Sequence, residues 1–349
     1  MTDIFTPSRI KELEIKNRIV LPPMVAFTFA QEGGFVSEEN INHYEQMAKG
    51  GAGLIIVEAT CVNHKGKLSK DQLEIWDDKY IDGLSKIVKV CHENDSKVFI
   101  QLHHAGLRTS KDVTEDMVSS WDYDDGKRTA RALAIEEIHK IQEDFVNAAV
   151  KAEKAGFDGI ELHGAHGYLM TQFFSLKVNK RTDKYGGSLG NRMRIALEII
   201  EKIKSKVRPD FVIGIRMGSN ENSLEASIEM AKEFEKYVNY LHISTGFDNT
   251  PLDVELPDDF PCNWIVYGGT KIKENVDIPV VVVNSIKTKE QIEYLLANDL
   301  ADFVAVGRSQ LADPSFVNHI KNQEEINKCI NCRPCKWYRD GRKCPARVR

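Results

Sequence analysis

Nowhere in the 349 residues does an apolar run approach the roughly 18 residues a membrane-spanning helix needs. The amino-terminal stretch MTDIFTPSRIKELEIKNRIV has no apolar core of the kind a secretory signal carries. The expectation is therefore a cytoplasmic chain with no membrane partner. Basic residues are not in excess either. Lys and Arg number 47 against 52 Asp and Glu, a net charge of -5, which gives no electrostatic reason to expect nucleic acid. Cysteine is sparse over most of the chain, with Cys61, Cys91 and Cys262 standing alone, whereas Cys329, Cys332, Cys335 and Cys344 crowd the last stretch. In a reducing compartment disulfides are not expected there, and four close thiols invite a metal or cluster reading. A dinucleotide fingerprint is also missing. The glycine cluster AKGGAGL at 48–54 follows a helical segment and precedes a strand, the reverse of the required order, so it reads as a helix stop and turn.

What is present is a rhythm. Apolar runs rich in β-branched residues recur as RIVLPPMV, GLIIVEAT, KVFIQLHH, GIELHG, FVIGIRMG, NYLHIST, IPVVVVNS and DFVAVGRS, which is how strands buried on both faces read. Segments of helical spacing alternate with them, among them SEENINHYEQMAKGG and TKEQIEYLLANDL. Eight strand–helix units suit an α/β fold of the (β/α)8 type, a TIM barrel over residues 1–320, better than a doubly wound sheet. Residues 104–134 are polar and irregular and read as a loop inserted at the carboxyl end of the third strand. Residues 321–349 read as a cysteine-rich tail set apart from the barrel.

In such barrels the carboxyl ends of the strands line the reaction site. That rule alone selects Met24, Glu58, Ala59, Gln101, His103, His163, Arg216, Ser244, Asn284 and Arg308. Within DGIELHGAHGYLMTQFF, His163, His166 and Tyr168 crowd one strand end. A metal site could draw on His103, His104 and Glu58 as further ligands. Yet the ends of strands five to eight offer no acidic residue, and Gln101, Arg216, Asn284 and Arg308 suit an extended polar organic ligand better than a divalent ion. Two neutral imidazoles can instead grip a carbonyl oxygen. Tyr168, a phenol that stays protonated at neutral pH, can deliver a proton to carbon. The bland alternatives are a satisfied core histidine and a packing tyrosine. Loops after strands seven and eight of a barrel often hold phosphate, and here they read VVNSIKT and AVGRSQL, with Gly307 allowing close approach and Arg308 able to pair.

The segments IFTPSRIKELEIKNRIVLPPM, GGAGLIIVEAT, QLHHAG, AGFDGIELHGAHGYLMTQFFSLKVNKRTDKYGGSLGNRM and ADFVAVGRSQLADPSF closely resemble the Old Yellow Enzyme group of FMN-dependent ene-reductases and NADH:flavin oxidoreductases. The resemblance runs the length of the barrel. It implies FMN across the carboxyl face, bordered by Pro22, Pro23, Met24, Val25, Ala59, Gln101 and Arg216, with Asn284, Ser285, Gly307 and Arg308 holding the phosphate. It further implies that His163 and His166, with Phe27 nearby, bind an unsaturated carbonyl compound that Tyr168 protonates, NAD(P)H being the reductant. Relatives with the same histidine pair often carry cysteine where this chain has Val25 and tyrosine where it has Phe27, and the loop GSNENSLEAS after strand five is short. The tail is similar to that of the 2,4-dienoyl-CoA reductase branch, whose cysteines hold [4Fe-4S]. Cys329, Cys332, Cys335 and Cys344 are thus candidate ligands for a cluster or zinc, although their spacing differs from that branch. Two alternatives stand beside the ene-reductase reading: a metal-dependent barrel hydrolase using the histidine pair, and an electron-transfer component using the tail. The expected partner is a small molecule, and room is left for a homo-oligomer.

Overall fold

The computed structural model describes residues 3–347. Eight parallel strands close into a barrel: β1 (Ile19–Leu21), β2 (Leu54–Cys61), β3 (Lys97–His103), β4 (Gly159–Gly164), β5 (Val212–Gly218), β6 (Tyr240–Ser244), β7 (Val280–Val283) and β8 (Phe303–Ala305). Each pairs with the next in chain order, and β8 returns to β1 through Val304 opposite Ile19. All eight expected strands are found.

Side-chain alternation explains the closure. Along β7, Val281 and Val283 join an inner cluster with Val20, Leu54, Ile56, Phe99, Val212 and Phe303, while Val280 and Val282 face the surrounding helices. A strand with both faces buried must be apolar at every position, which is why these runs do not alternate with polar residues. The antiparallel hairpin Ser8–Ile10 and Leu13–Ile15 adds Ile10 and Ile15 to the inner cluster. It thereby caps the barrel at the end where the strands begin, so only the carboxyl end is open to a ligand.

Two local features differ from the expectation. Residues 104–134 are not irregular throughout: Val118–Ser119, Tyr123–Asp124 and Thr129–Ala132 form a small three-stranded sheet. Arg108, just ahead of it, donates to the carbonyls of Gly167 and Phe247, so the insertion braces the loop after β4. Secondly, β2 carries a bulge between Val57 and Thr60. A bulge re-aims side chains, and here it turns Glu58 toward Tyr44 of the helix Glu38–Lys49 and leaves Ala59 at the barrel mouth.

The segment after the helix Phe316–Asn322 lies against the barrel. Trp337 is fully buried and meets Phe29 edge-on at 5.6 Å. Asp340 accepts from the Thr28 hydroxyl at 3.1 Å, and Arg342 reaches Glu39. No helix among the described residues is long and apolar enough to cross a membrane.

Candidate active site

A cleft of about 420 Å3 opens at the carboxyl end of the barrel, within the usual size range of cofactor sites. Most barrel residues expected from the sequence line it: Pro22, Pro23, Met24, Val25, Phe27, Ala59, Gln101, His163, His166, Tyr168, Arg216, Ser244, Asn284, Ser285, Gly307 and Arg308. Glu58 and His103, selected only by their strand-end position, do not. Leu68, Thr245, Asn249, Lys287 and Tyr338 also line the cleft and were missed. Lys287 was within reach, since it lies in the same VVNSIKT run as Asn284. Tyr338 was not, because nothing in a cysteine-rich tail says which side chain returns to a barrel mouth.

The loop after β4 is held in an uncommon shape. His166 has φ 62° and Gly167 φ 71°, the left-handed region that costs a side-chain-bearing residue energy. Backbone bonds to the loop after β6 stabilise it, from His166 N to Thr245 O and from Gly167 N to Gly246 O, both 3.0 Å. A Cβ on Gly167 would lie 2.4 Å from the Phe247 carbonyl oxygen, so glycine is required there.

This loop brings the two imidazoles together. His166 Nδ1 lies 3.4 Å from His163 Nε2, and His166 Nε2 lies 2.8 Å from the Ser244 hydroxyl. Burial, reinforced for His163 by His166 and for His166 by the Arg216 charge, holds both well below the usual histidine range, so both are neutral at neutral pH. His163 Nδ1 accepts the Ala165 N–H at 3.4 Å, which places the proton of the neutral ring on Nε2, the nitrogen facing His166. Tyr168 stands edge-on to His103 at 4.4 Å and to His163 at 4.8 Å between ring centres. Burial raises its phenol above the usual tyrosine range, so it remains a proton donor.

Arg216 is buried, and its Nε has no partner. Burial lowers its proton affinity while Glu161 opposes that shift, so it is a fixed cation beside the cleft. On the far side Asn284 and Ser285 take φ 128° and 53°, and Arg308 donates to the Ser285 hydroxyl at 2.9 Å. A Cβ on Gly307 would approach Met24 Sδ to 2.9 Å. One end of the cleft is therefore cationic and closely approachable, its floor carries an amide and a guanidinium, and its flank is apolar. This donor set fits a planar heteroaromatic ring carrying a phosphate.

It does not fit the hydrolase alternative. Among the described residues no group of three or more His, Cys, Asp or Glu could hold a metal ion, and the histidine pair gains a hydroxyl partner rather than a third ligand. In the tail, Cys329, Cys332, Cys335 and Cys344 line one small cavity with Arg308 and Trp337, but they too form no group able to hold a metal. The cluster or zinc expected there has no support in this arrangement.

These features suit a flavin phosphate bound at the mouth of the barrel. Comparison with known proteins agrees: residues 3–327 match the model of the NADH:flavin oxidoreductase / NADH oxidase family. The chain belongs to that family, the Old Yellow Enzyme group of NAD(P)H-dependent flavin oxidoreductases. It is 43% identical over 344 residues to an NADH oxidase of Thermoanaerobacter brockii, covering 95% of this chain but 52% of the relative. It is 35% identical to an NADPH dehydrogenase of Bacillus cytotoxicus, covering 92% of this chain and 93% of the relative. The chain thus spans about half the length of the first and nearly all of the second. A solved old yellow enzyme homologue from Zymomonas mobilis superposes with a TM-score of 0.81 at 26% identity, over 95% of both chains.

Proposed function

We propose that the chain is an FMN-dependent enzyme that uses NAD(P)H to reduce activated C=C bonds of unsaturated carbonyl compounds. The observation that carries this reading is the convergence, in one cleft, of a phosphate-type pocket, a cationic floor and the His163, His166 and Tyr168 group. Asn284, Ser285, Gly307 and Arg308 would hold the phosphate; Pro22, Pro23, Met24, Val25, Ala59, Gln101 and Arg216 would border the ring. Bound FMN supplies the hydride chemistry, accepting from NAD(P)H and donating to the β-carbon of the alkene.

The chain's own residues do the rest. The His163 Nε2–H, which faces His166 Nδ1 at 3.4 Å in the free site, turns to a bound carbonyl oxygen, and His166, beside Ser244, joins it as the second arm of the clamp in the tautomer that accepts the Ser244 hydroxyl at Nε2 and carries its proton on Nδ1. Neutral donors stabilise charge growing on that oxygen at low reorganisation cost. Tyr168 gives its phenolic proton to the α-carbon, and Phe27 borders the bound compound. The nicotinamide and the alkene use the same cleft in turn, so the kinetics are ping-pong. The test is anaerobic: the purified protein is yellow, NADH or NADPH bleaches it, and 2-cyclohexenone restores the colour. A colourless protein, or colour that an enone does not restore, would overturn the reading.

A further inference from the structure

Beneath the cleft lies a carboxylate that the proposed chemistry does not use. Glu161, on β4, is fully buried inside the barrel and accepts three hydrogen bonds: from Gln101 Nε2 at 2.7 Å, from His242 Nδ1 at 2.8 Å and from the Tyr240 hydroxyl at 3.1 Å. Burial alone would raise its proton affinity, but His242, the charge of Arg216 and the Gln101 amide outweigh burial and hold it below the usual carboxylate range. It is a permanent anion, and burial keeps His242 neutral as a donor to it. Such a charge is costly to bury unless several partners satisfy it.

Its effect on the cleft follows from what a carboxylate can do. It only accepts, so it can take only the NH2 end of the Gln101 amide. The carbonyl oxygen of Gln101 is thereby committed to the other direction, toward the cleft that Gln101 lines. The floor then presents an acceptor from Gln101 and a cation from Arg216 side by side. That pattern complements a ring edge carrying an N–H next to a carbonyl, as in the pyrimidine part of a flavin.

We propose that Glu161 is a positioning residue for the flavin ring, fixing the orientation of Gln101 and, as the counter-charge of Arg216, setting how strongly the floor favours negative charge on the ring. This rests on the FMN reading above. Removing the charge unmasks Arg216 and frees the Gln101 amide to present a donor, and both changes favour the reduced ring.

The experiment is the midpoint potential of bound FMN in wild type, Glu161→Gln and Tyr240→Phe, with FMN affinity measured alongside. Wild type that binds no FMN refutes the cofactor reading, and this inference with it, before any variant is made. In Glu161→Gln the reduced form should gain roughly tenfold in affinity over the oxidised form, an upward shift of about 30 mV for a two-electron couple. Tyr240→Phe removes one donor but no charge, so its potential should stay within a third of that shift. An unchanged potential in flavin-loaded Glu161→Gln, or an equal shift in Tyr240→Phe, overturns the proposal as a merely structural role. If Glu161→Gln does not fold, His242→Phe replaces it. With a donor lost, Glu161 takes up a proton more readily, and the potential should depend on pH more steeply than in wild type between mildly acidic and neutral pH; an unaltered slope refutes the inference.

Discussion

Replacing Tyr168 by phenylalanine removes one oxygen and leaves the ring that packs against His103 and His163. Tyr168 is only partly buried, and deleting a hydroxyl at such a position changes stability by about 0.5 kcal/mol or less. The folded protein, its cleft and its histidine pair should therefore persist. What is lost is proton delivery, which a positioned acid contributes at about 10²- to 10⁴-fold, or roughly 3–5 kcal/mol of barrier. The half-reactions can be followed separately by anaerobic stopped flow. Bleaching by NADPH should match wild type, whereas recolouring by 2-cyclohexenone should slow by about 10²-fold or more. The pH dependence carries a sign. Burial raises this phenol, so the wild-type enone step loses this acid only as pH climbs beyond the ordinary tyrosine range, and a fall assigned to Tyr168 near neutrality contradicts the geometry. Equal losses in both half-reactions, or none in either, would show that Tyr168 is not the proton donor.

Three further outcomes are expected. His163→Ala removes the Nε2–H donor and should weaken an enone by about 3- to 10-fold and a phenolate by about 10- to 150-fold, read by titrating the bound flavin's absorbance. Glu58 accepts from the Ala26 N–H at 3.0 Å and from the Tyr44 hydroxyl at 3.2 Å, and burial raises it to about 7. Stability from this group is complete below its unfolded value and is lost as pH rises through 7, so Glu58→Gln should melt with a flatter pH profile, the gap from wild type growing to at most about 3 kcal/mol. Trp337→Ala should cost about 3–5 kcal/mol in the docking of the tail; limited proteolysis should then release the tail before the barrel is cut, and tail resistance equal to wild type would contradict it.

The barrel was legible because its strands are buried on both faces and so must be continuous apolar runs, and because their carboxyl ends converge by topology. All the residues named for the cleft from strand ends and resemblance except Glu58 and His103 accordingly line it. Glu58 was misplaced for a specific reason. Counting by twos from Leu54 and Ile56 puts it inside, and nothing in GLIIVEAT announces the bulge that turns it to Tyr44. The small sheet within 104–134 was hidden by strands of two to four residues, too short for a period to register. Tyr338 lines the mouth although the four cysteines dominate any reading of its segment, and its position depends on Trp337 docking beside Phe29 and His43.

Three of the ten side-chain-bearing residues that take positive φ among the described residues line the cleft where the chemistry is proposed. His166 and the consecutive pair Asn284 and Ser285 all carry positive φ, and both loops line one cleft. Each such residue costs on the order of 1–3 kcal/mol, which a loop could relax unless neighbouring structure prevented it. At His166 the restraint is visible: two backbone bonds to the loop after β6, the Ser244 hydroxyl on its side chain, and Arg108 on the Gly167 carbonyl. The insertion at 104–134 thus acts on the site without lining it. Ser244 links the two halves of the cleft, since its hydroxyl also lies 3.4 Å from Arg216 Nη2, and a shift in either the histidine clamp or the cationic floor would be felt by the other. A clamp held this way meets its ligand with little left to reorganise, which is what stabilising a transient charge on a carbonyl oxygen requires.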